Sequence, residues 1–145
     1  MSYEVKATPA PFPARTESEH SLPLVSVIIC TYNRCDVLPH ALDSVLAQSY
    51  RPLEIIVVDD ASTDETDSVL SQYHSRGEIR ISRIRNSQNL GLQKTLNRAL
   101  DAASGRYFAR IDDDDLWTDE DKISHQVAAL EKDSRLAAVG TAYID

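Results

Sequence analysis

Short, almost wholly apolar runs alternate along the chain with longer amphipathic stretches. Val25-Ser26-Val27-Ile28-Ile29-Cys30-Thr31 and Glu54-Ile55-Ile56-Val57-Val58-Asp59-Asp60 are β-branched and apolar at both odd and even positions. That is the mark of strands covered on both faces, as in a parallel sheet. Ile79 to Ile84 alternates apolar and polar and predicts a third strand with one wetter face. Tyr107 to Ile111 predicts a fourth, and Leu136 to Ala142 a fifth.

Between the strands the apolar residues recur at helical spacing. Asp36 is a candidate cap for a helix burying Val37, Leu38, Ala41, Leu42, Val45 and Leu46, with Pro39 in the tolerated first turn. Thr63 or Asp64 caps a second helix running to about His74, stopped by Gly77. A third spans Leu92 to Ala103 with Leu92, Leu96, Ala99 and Leu100 inward, and Ser104-Gly105 breaks it. Asp119 opens a fourth, with Ile123, Val127 and Leu130 on its face. Strands separated by helices imply an α/β fold, a mostly parallel sheet with helices on both faces and right-handed crossovers.

In such sheets ligands bind beyond the carboxyl ends of the strands. Three polar clusters fall there: Thr31-Tyr32-Asn33-Arg34, Asp59-Asp60-Ala61-Ser62, and the four consecutive carboxylates Asp112 to Asp115. A fourth, Asn89-Leu90-Gly91-Leu92-Gln93-Lys94, precedes a helix. If extended geometry persists past Ile111, Asp112 and Asp114 share one side and Asp113 and Asp115 the other. Carboxylates so paired repel unless a cation or a proton lies between them, and a hard divalent ion with phosphate oxygens meets that need. The plainer alternative is a solvated acidic turn leading into the helix near Asp119.

Composition narrows the classes. The chain has 145 residues, enough for one domain with a core, and a net charge of −8. Broad attraction to nucleic acid or anionic lipid is not expected. No apolar stretch is long enough to span a membrane and no signal-peptide core is present, so a cytoplasmic protein is expected. Residues 1–23, with Pro9, Pro11, Pro13 and Pro23, read as a flexible leader. Cys30 and Cys35 lack metal-site spacing and read as free thiols. The four histidines lie in the leader or on predicted helix surfaces, not at strand ends. Neither a dinucleotide fingerprint, a P-loop, an EF-hand nor a GxSxG elbow is present.

Four segments in order carry a specific resemblance: Val25 to Arg34, Glu54 to Asp64, Asn89 to Leu92, and Gly105 to Asp115. From about Leu24 onward the chain resembles the family 2 glycosyltransferases. The resemblance implies the A-type glycosyltransferase fold, whose Rossmann-like half binds the nucleotide. It implies sugar transfer from a nucleotide diphosphate donor to a saccharide or lipid-linked acceptor hydroxyl with inversion, in polysaccharide or glycan building. By position, Thr31, Asn33 and Arg34 match the turn lining the nucleotide. Asp60 matches the acid that accepts the base N–H, which favours uridine or thymidine. Asp112 and Asp114 match the DxD pair, with Asp114 on a Mn²⁺ or Mg²⁺ ion and Asp112 near the ribose or the metal's waters. Lys94 and Arg110 are candidate cations for the phosphates or sugar.

Asp59 and Asp64 read as structural, one a strand-end acid on backbone amides and the other a helix cap. Trp117 reads as covering the sheet end. Many relatives carry an arginine where this chain has Leu96. Nothing matches the family's acidic general base, so residues 24–145 read as a donor-binding part shortened at its C-terminal end. Three readings follow: a transferase half, a nucleotide-binding module completed by a partner, or an unliganded scaffold. An uncovered sheet edge also predicts self-association.

Overall fold

The computed structural model describes residues 22–140. The leader expected over residues 1–23 therefore lies almost wholly outside the described residues. Pro23, its last residue, is already tied in, since its carbonyl accepts the Tyr50 hydroxyl at 2.6 Å.

Four strands form one parallel sheet: β1 (Val25–Thr31), β2 (Leu53–Asp59), β3 (Ile79–Arg85) and β4 (Tyr107–Arg110). Their order is β3-β2-β1-β4. Val25 pairs with both Leu53 and Tyr107, which sets the register of the centre. The helices are α1 (Leu38–Leu46), α2 (Thr66–Leu70), α3 (Leu92–Ala102) and α4 (Lys122–Lys132). Odd-numbered strand residues Val25, Val27, Ile29, Leu53, Ile55 and Val57 pack with Leu38, Leu42 and Val45 of α1 and Ile123 and Val127 of α4. Even-numbered Ile28, Ile56 and Val58 pack with Ala99 of α3 on the other face. The uninterrupted apolar runs are explained by this double cover.

The chain steps from β1 to β2 to β3 in one direction, then returns to place β4 on the other side of β1. That reversal opens a crevice at the carboxyl ends of β1 and β4.

Several elements differ from expectation. α2 stops at Leu70, not near His74. Ser71 turns its hydroxyl back onto the Ser68 carbonyl at 2.6 Å, and Gln72 and Tyr73 make tighter three-residue bonds to Val69 and Leu70. Serine competition with the helical backbone ends the helix early. Gly77, with φ of 55°, serves the turn between Arg76 and Ile79 rather than a helix end. On α3 the buried residues are Thr95 and Ala99, while Leu92 and Leu100 are exposed. Small side chains let that helix approach the sheet closely, and the leucines flank the contact. α1 begins at Leu38 with no side-chain cap, so Asp36 does not cap it, and Pro39 occupies the first turn as expected. Residues 136–140 form no strand, and Val139 instead offers its carbonyl to Gln126 Nε2 at 3.3 Å. The remainder of the expected fifth strand lies outside the described residues. β4 is thus an edge of the described sheet, with Phe108 exposed on it.

At the amino end of the sheet, on the α3 face, lies a buried polar knot. Glu54 accepts from Ser26 Oγ at 2.6 Å and Ser104 N at 2.9 Å, and pairs with Arg80. Gly105 N donates to Ser26 Oγ at 2.8 Å. A Cβ on Gly105 would sit 2.6 Å from both Ser26 N and Oγ, so only glycine permits this approach.

Candidate functional site

Three strand ends and one helix start converge at the carboxyl end of the sheet. Thr31 closes β1, and the turn beyond it is held by Asn33, whose φ of 53° is left-handed. Asparagine tolerates that conformation better than most residues. Its backbone N–H donates to Ser62 Oγ at 2.9 Å, and its Oδ1 accepts Thr63 N–H at 2.7 Å. The turns after β1 and β2 are therefore stitched to each other.

Beyond β2 the two acids divide the work. Asp59 accepts Ser62 N–H at 2.8 Å and pairs with Arg85 at the end of β3, a structural arrangement as expected. Asp60 is buried, 4% exposed, and carries no cation among its partners. Its Oδ1 accepts Asn86 Nδ2 at 2.6 Å and Leu90 N–H at 2.8 Å, and its Oδ2 accepts Gly91 N–H at 2.9 Å. Burial alone pushes this carboxyl up, but the donors Leu90, Asn86 and Gly91 outweigh it and hold its pKa below the usual range. Asp60 thereby fixes the loop that leads into α3, where Gly91 takes a φ of 79°.

Asp64 accepts Thr66 N–H at 3.1 Å and Thr66 Oγ1 at 2.6 Å, and reaches back to Cys35 N–H at 3.1 Å. The cap position of α2 is Glu65 and carries no side-chain cap bond, so neither Thr63 nor Asp64 caps the helix as expected; Asp64, one residue ahead, instead ties its first residue to the turn after β1. Burial acts to raise its pKa, but these bonds overcome that and depress it strongly.

The four-acid run leaves the strand sooner than alternation predicts. β4 ends at Arg110, and Asp115 N–H donates to the Asp112 carbonyl at 3.1 Å, closing a turn. Exposure still alternates: Asp112 and Asp114 are open to solvent, while Asp113 and Asp115 are half-buried. Asp114 faces Arg34 at 3.8 Å, across the crevice between the β1 and β4 ends. Asp112 pairs with Arg110. Asp113 is held above the ordinary carboxylate range, first by burial and then by the charge of Asp114. Cys30, half-buried beneath the run, is pushed up to about 11 by burial, against the pull of Arg110 and with the help of the charges of Asp112, Asp113 and Asp60. It is an uncharged thiol, and both cysteines are free.

The structure thus brings the exposed Asn33, Arg34, Asp112 and Asp114 together at the ends of β1 and β4, with Thr31 buried below them and Asp60 beneath the adjoining loop. Lys94 is exposed in the first turn of α3 and has no ion-pair partner among the described residues. Trp117 packs partly buried against the core, with Lys122 Nζ 4.2 Å from its ring centre, consistent with covering the sheet end. His40, His74 and His125 are exposed surface residues. Asn86, Thr95 and Arg98 escaped the sequence reading, because their partners lie in distant elements. A polar residue directly after a strand was their only local signal.

Among the described residues no group of three or more His, Cys, Asp or Glu side chains could hold a metal ion alone. Asp112 and Asp114 nonetheless fit a hard cation. They are two solvent-facing carboxylates on one turn, the donor set that Mg²⁺ or Mn²⁺ takes when phosphates and water supply the rest.

Comparison with known proteins resolves the family. The profile described as Glycosyl transferase family 2 matches residues 26–145. The chain belongs to glycosyltransferase family 2. An uncharacterized glycosyltransferase of Haemophilus influenzae is 43% identical over 123 residues, 82% of this chain and 36% of that protein. The Escherichia coli enzyme WfaP, named UDP-Glc:α-D-GlcNAc-diphosphoundecaprenol β-1,3-glucosyltransferase, is 37% identical over 84% of this chain and 47% of its own length. The mannosyltransferase PcManGT from Pyrobaculum calidifontis, solved in complex with GDP-Man and Mn²⁺, superposes with a TM-score of 0.70 at 32% identity. That match covers 76% of this chain and 33% of PcManGT. The chain therefore spans about a third to a half of the length of these family 2 relatives. The fold is the α/β, Rossmann-like one that the resemblance implied. No helix among the described residues is long and apolar enough to cross a membrane.

Proposed function

We propose that this family 2 domain binds a nucleotide-diphosphate sugar, a UDP- or dTDP-sugar, and serves transfer of its sugar to a saccharide or lipid-linked hydroxyl with inversion. One observation carries the reading. Asp112 and Asp114 stand exposed on a turn at the topological switch point, each facing an arginine, beside the stitched turns that follow β1 and β2. WfaP, by its name a UDP-glucose enzyme, and PcManGT, solved with GDP-Man and Mn²⁺, support the reading of a nucleotide-sugar donor.

In this reading Asp60 accepts the base N–H through a charge-assisted bond. Thr31, Asn33 and Arg34 line the nucleotide, and Lys94 and Arg110 face its phosphates or sugar. Asp114 holds a divalent ion on the diphosphate, with Asp112 nearer the ribose. The ion, when bound, supplies Lewis-acid stabilisation of the departing diphosphate. Arg34 and Arg110, which pair with these carboxylates, would be the cations at hand for phosphate oxygens. Guanidinium groups suit either partner, because their planar donors match both geometries. These ion pairs are half exposed, so giving them up costs little, about 1 kcal/mol or less each. Deprotonation of the acceptor falls to a general base that the described residues do not supply.

Calorimetric titration of UDP into the chain, with Mn²⁺ and then with chelator, tests this reading. Binding is expected to weaken at least about tenfold, roughly 1.4 kcal/mol, when the metal is removed. A folded chain that takes up no UDP in Mn²⁺ would contradict it.

A further inference from the structure

We infer that the open edge of β4 is a docking site for one extended strand of a separate polypeptide, which adds to the sheet beside Phe108 and Arg110. The docking stands on the geometry of β4 and is independent of the nucleotide-binding role proposed above.

β4 pairs with β1 on one side, and among the described residues no strand pairs with its other edge. The N–H groups of Tyr107 and Ile111 donate toward β1, to the carbonyls of Leu24 at 3.4 Å and Ile28 at 3.2 Å. Backbone groups alternate sides along a strand, so those of Phe108 and Arg110 point outward. Such an edge is a template for another strand.

Beside that edge runs a groove of about 440 Å³. Ile123, Val127 and Leu130 of α4 give it an apolar floor, and Ala137 to Gly140 line it as well. Tyr107 and Ala109 of β4 pack toward the same floor, and the small Ala109 leaves it open. An added strand would lay its alternate side chains there. A groove bounded both by β4 and by residues 137–140 suits one strand better than the whole sheet edge of a second copy.

Charge selects the strand. Arg106, Arg110 and Lys122 line the groove, and no carboxylate does. Arg106 and Arg110 have partners in Glu131 and Asp112. Lys122 is half-buried, donates to Gln126 Oε1 at 3.0 Å and lies over the Trp117 ring, and it forms no ion pair among the described residues. The fitting strand is therefore apolar at alternate positions and acidic where it meets Lys122. It would run past Arg110 toward Asp112. On the proposed function, its polypeptide thus reaches the crevice for which the described residues supply no general base.

The probe is a short synthetic peptide of alternating valine and threonine with a glutamate at each end, titrated into the isotope-labelled chain. The amide signals of Phe108 and Arg110 should shift saturably, and their exchange with solvent should slow. Methylating alternate amide nitrogens of the peptide should weaken binding at least about tenfold, since each backbone bond lost is worth about fivefold. Phe108→Pro removes an N–H that β1 does not use, and proline is tolerated on an edge strand. That variant should fold and bind the peptide at least about fivefold more weakly. Lys122→Glu should reverse the preference between this peptide and one with a lysine at each end. Unchanged affinity in Phe108→Pro, an unchanged preference in Lys122→Glu, or no saturable shift at Phe108 and Arg110 in the folded wild type would overturn the inference. So would a dimer of the chain alone, seen by sedimentation, that Phe108→Pro dissolves, because the edge would then belong to a second copy. No nucleotide enters these titrations, so their failure leaves the donor-binding reading standing.

Discussion

Replacing Asp114 with alanine should remove the metal-dependent part of UDP binding, a loss of at least about a hundredfold in Mn²⁺ affinity measured with nucleotide present. Partners that merely orient a metal ligand are commonly worth about 10–100-fold, and a direct ligand should exceed them. Of the two carboxylates assigned to the ion, deleting Asp114 leaves Asp112 alone. The variant should fold normally. Asp114 is half exposed and its partner Arg34 lies 3.8 Å away, so the stability change should stay within about 0.5 kcal/mol. The two readouts separate a binding defect from a folding defect. Calorimetry with UDP, with and without Mn²⁺, checks the first, and thermal unfolding the second. If Asp114→Ala still bound UDP more tightly with Mn²⁺ than without, the assignment of the ion to this turn would fail.

Replacing Glu54 with alanine should destabilise the domain by about 3–5 kcal/mol, the cost of removing one partner of a buried ion pair. Glu54 is 2% exposed at the amino end of the central strand β2 and accepts from Ser26, Ser104 and Arg80. All three groups would lose their acceptor together. Domains of this size have about 5–15 kcal/mol in total, so the variant sits near the edge of folding. The same carboxylate predicts a pH dependence. Burial pushes its pKa up, but Ser26, Ser104 and Arg80 outweigh burial and leave it below the ordinary value. Its contribution is therefore complete above the unfolded carboxyl pKa of about 4.3, and is lost as pH falls through the lower folded value. Glu54→Gln, which keeps the shape without the charge, should lose less than alanine. Its stability gap to wild type should shrink as pH drops below about 4. Urea unfolding at pH 7 and at about pH 3.5 would show it, and a gap independent of pH would refute the ion-pair account.

How much of this was legible in the sequence depends on the range of the interactions. β1 and β2 stand out because strands covered on both faces are apolar at every position, and their ends follow from the same runs. The structural roles of Asp59 and Asp64 are nearly local, since their partners include Ser62 and Thr66, and that both are structural was readable, though not that Asp64 sits one residue before the cap position. α3 lies where the sequence places it, and Ala99 and Leu96 face the sheet as read, but Leu92 and Leu100 do not. Its periodicity points Leu92 and Leu100 inward, whereas the close sheet contact is made by Thr95 and Ala99. Periodicity ranks residues by hydrophobicity, but helix-to-sheet distance is set by size. α2 was drawn too long because serine side chains at Ser68 and Ser71 end it without a glycine or proline.

Non-local contacts were the hidden part. Asp60 reaches Asn86, Leu90 and Gly91 across about thirty residues, and Glu54 reaches Ser104 across fifty. A lone acid inside an apolar strand was the available signal for Glu54, and it read simply as the start of the strand. The family resemblance supplied the candidate site residues, and the structure shows what holds them. Most of the site is fixed by backbone donors and by turns stitched to one another, with arginines resting on the acids that the proposal gives to the metal.

Nuclear magnetic resonance of the isotope-labelled chain with UDP and Mn²⁺ tests the central claim most directly. A paramagnetic ion erases amide signals nearby, so it maps its own position. The account predicts loss of signals at Asn33, Arg34 and Asp112 to Leu116, with Tyr73 to Arg76, just before the amino end of β3, unaffected. With Mg²⁺ in place of Mn²⁺, Leu90 and Gly91 should shift as the base meets Asp60. Signal loss centred away from the ends of β1 and β4, or equal with and without UDP over the whole surface, would contradict it.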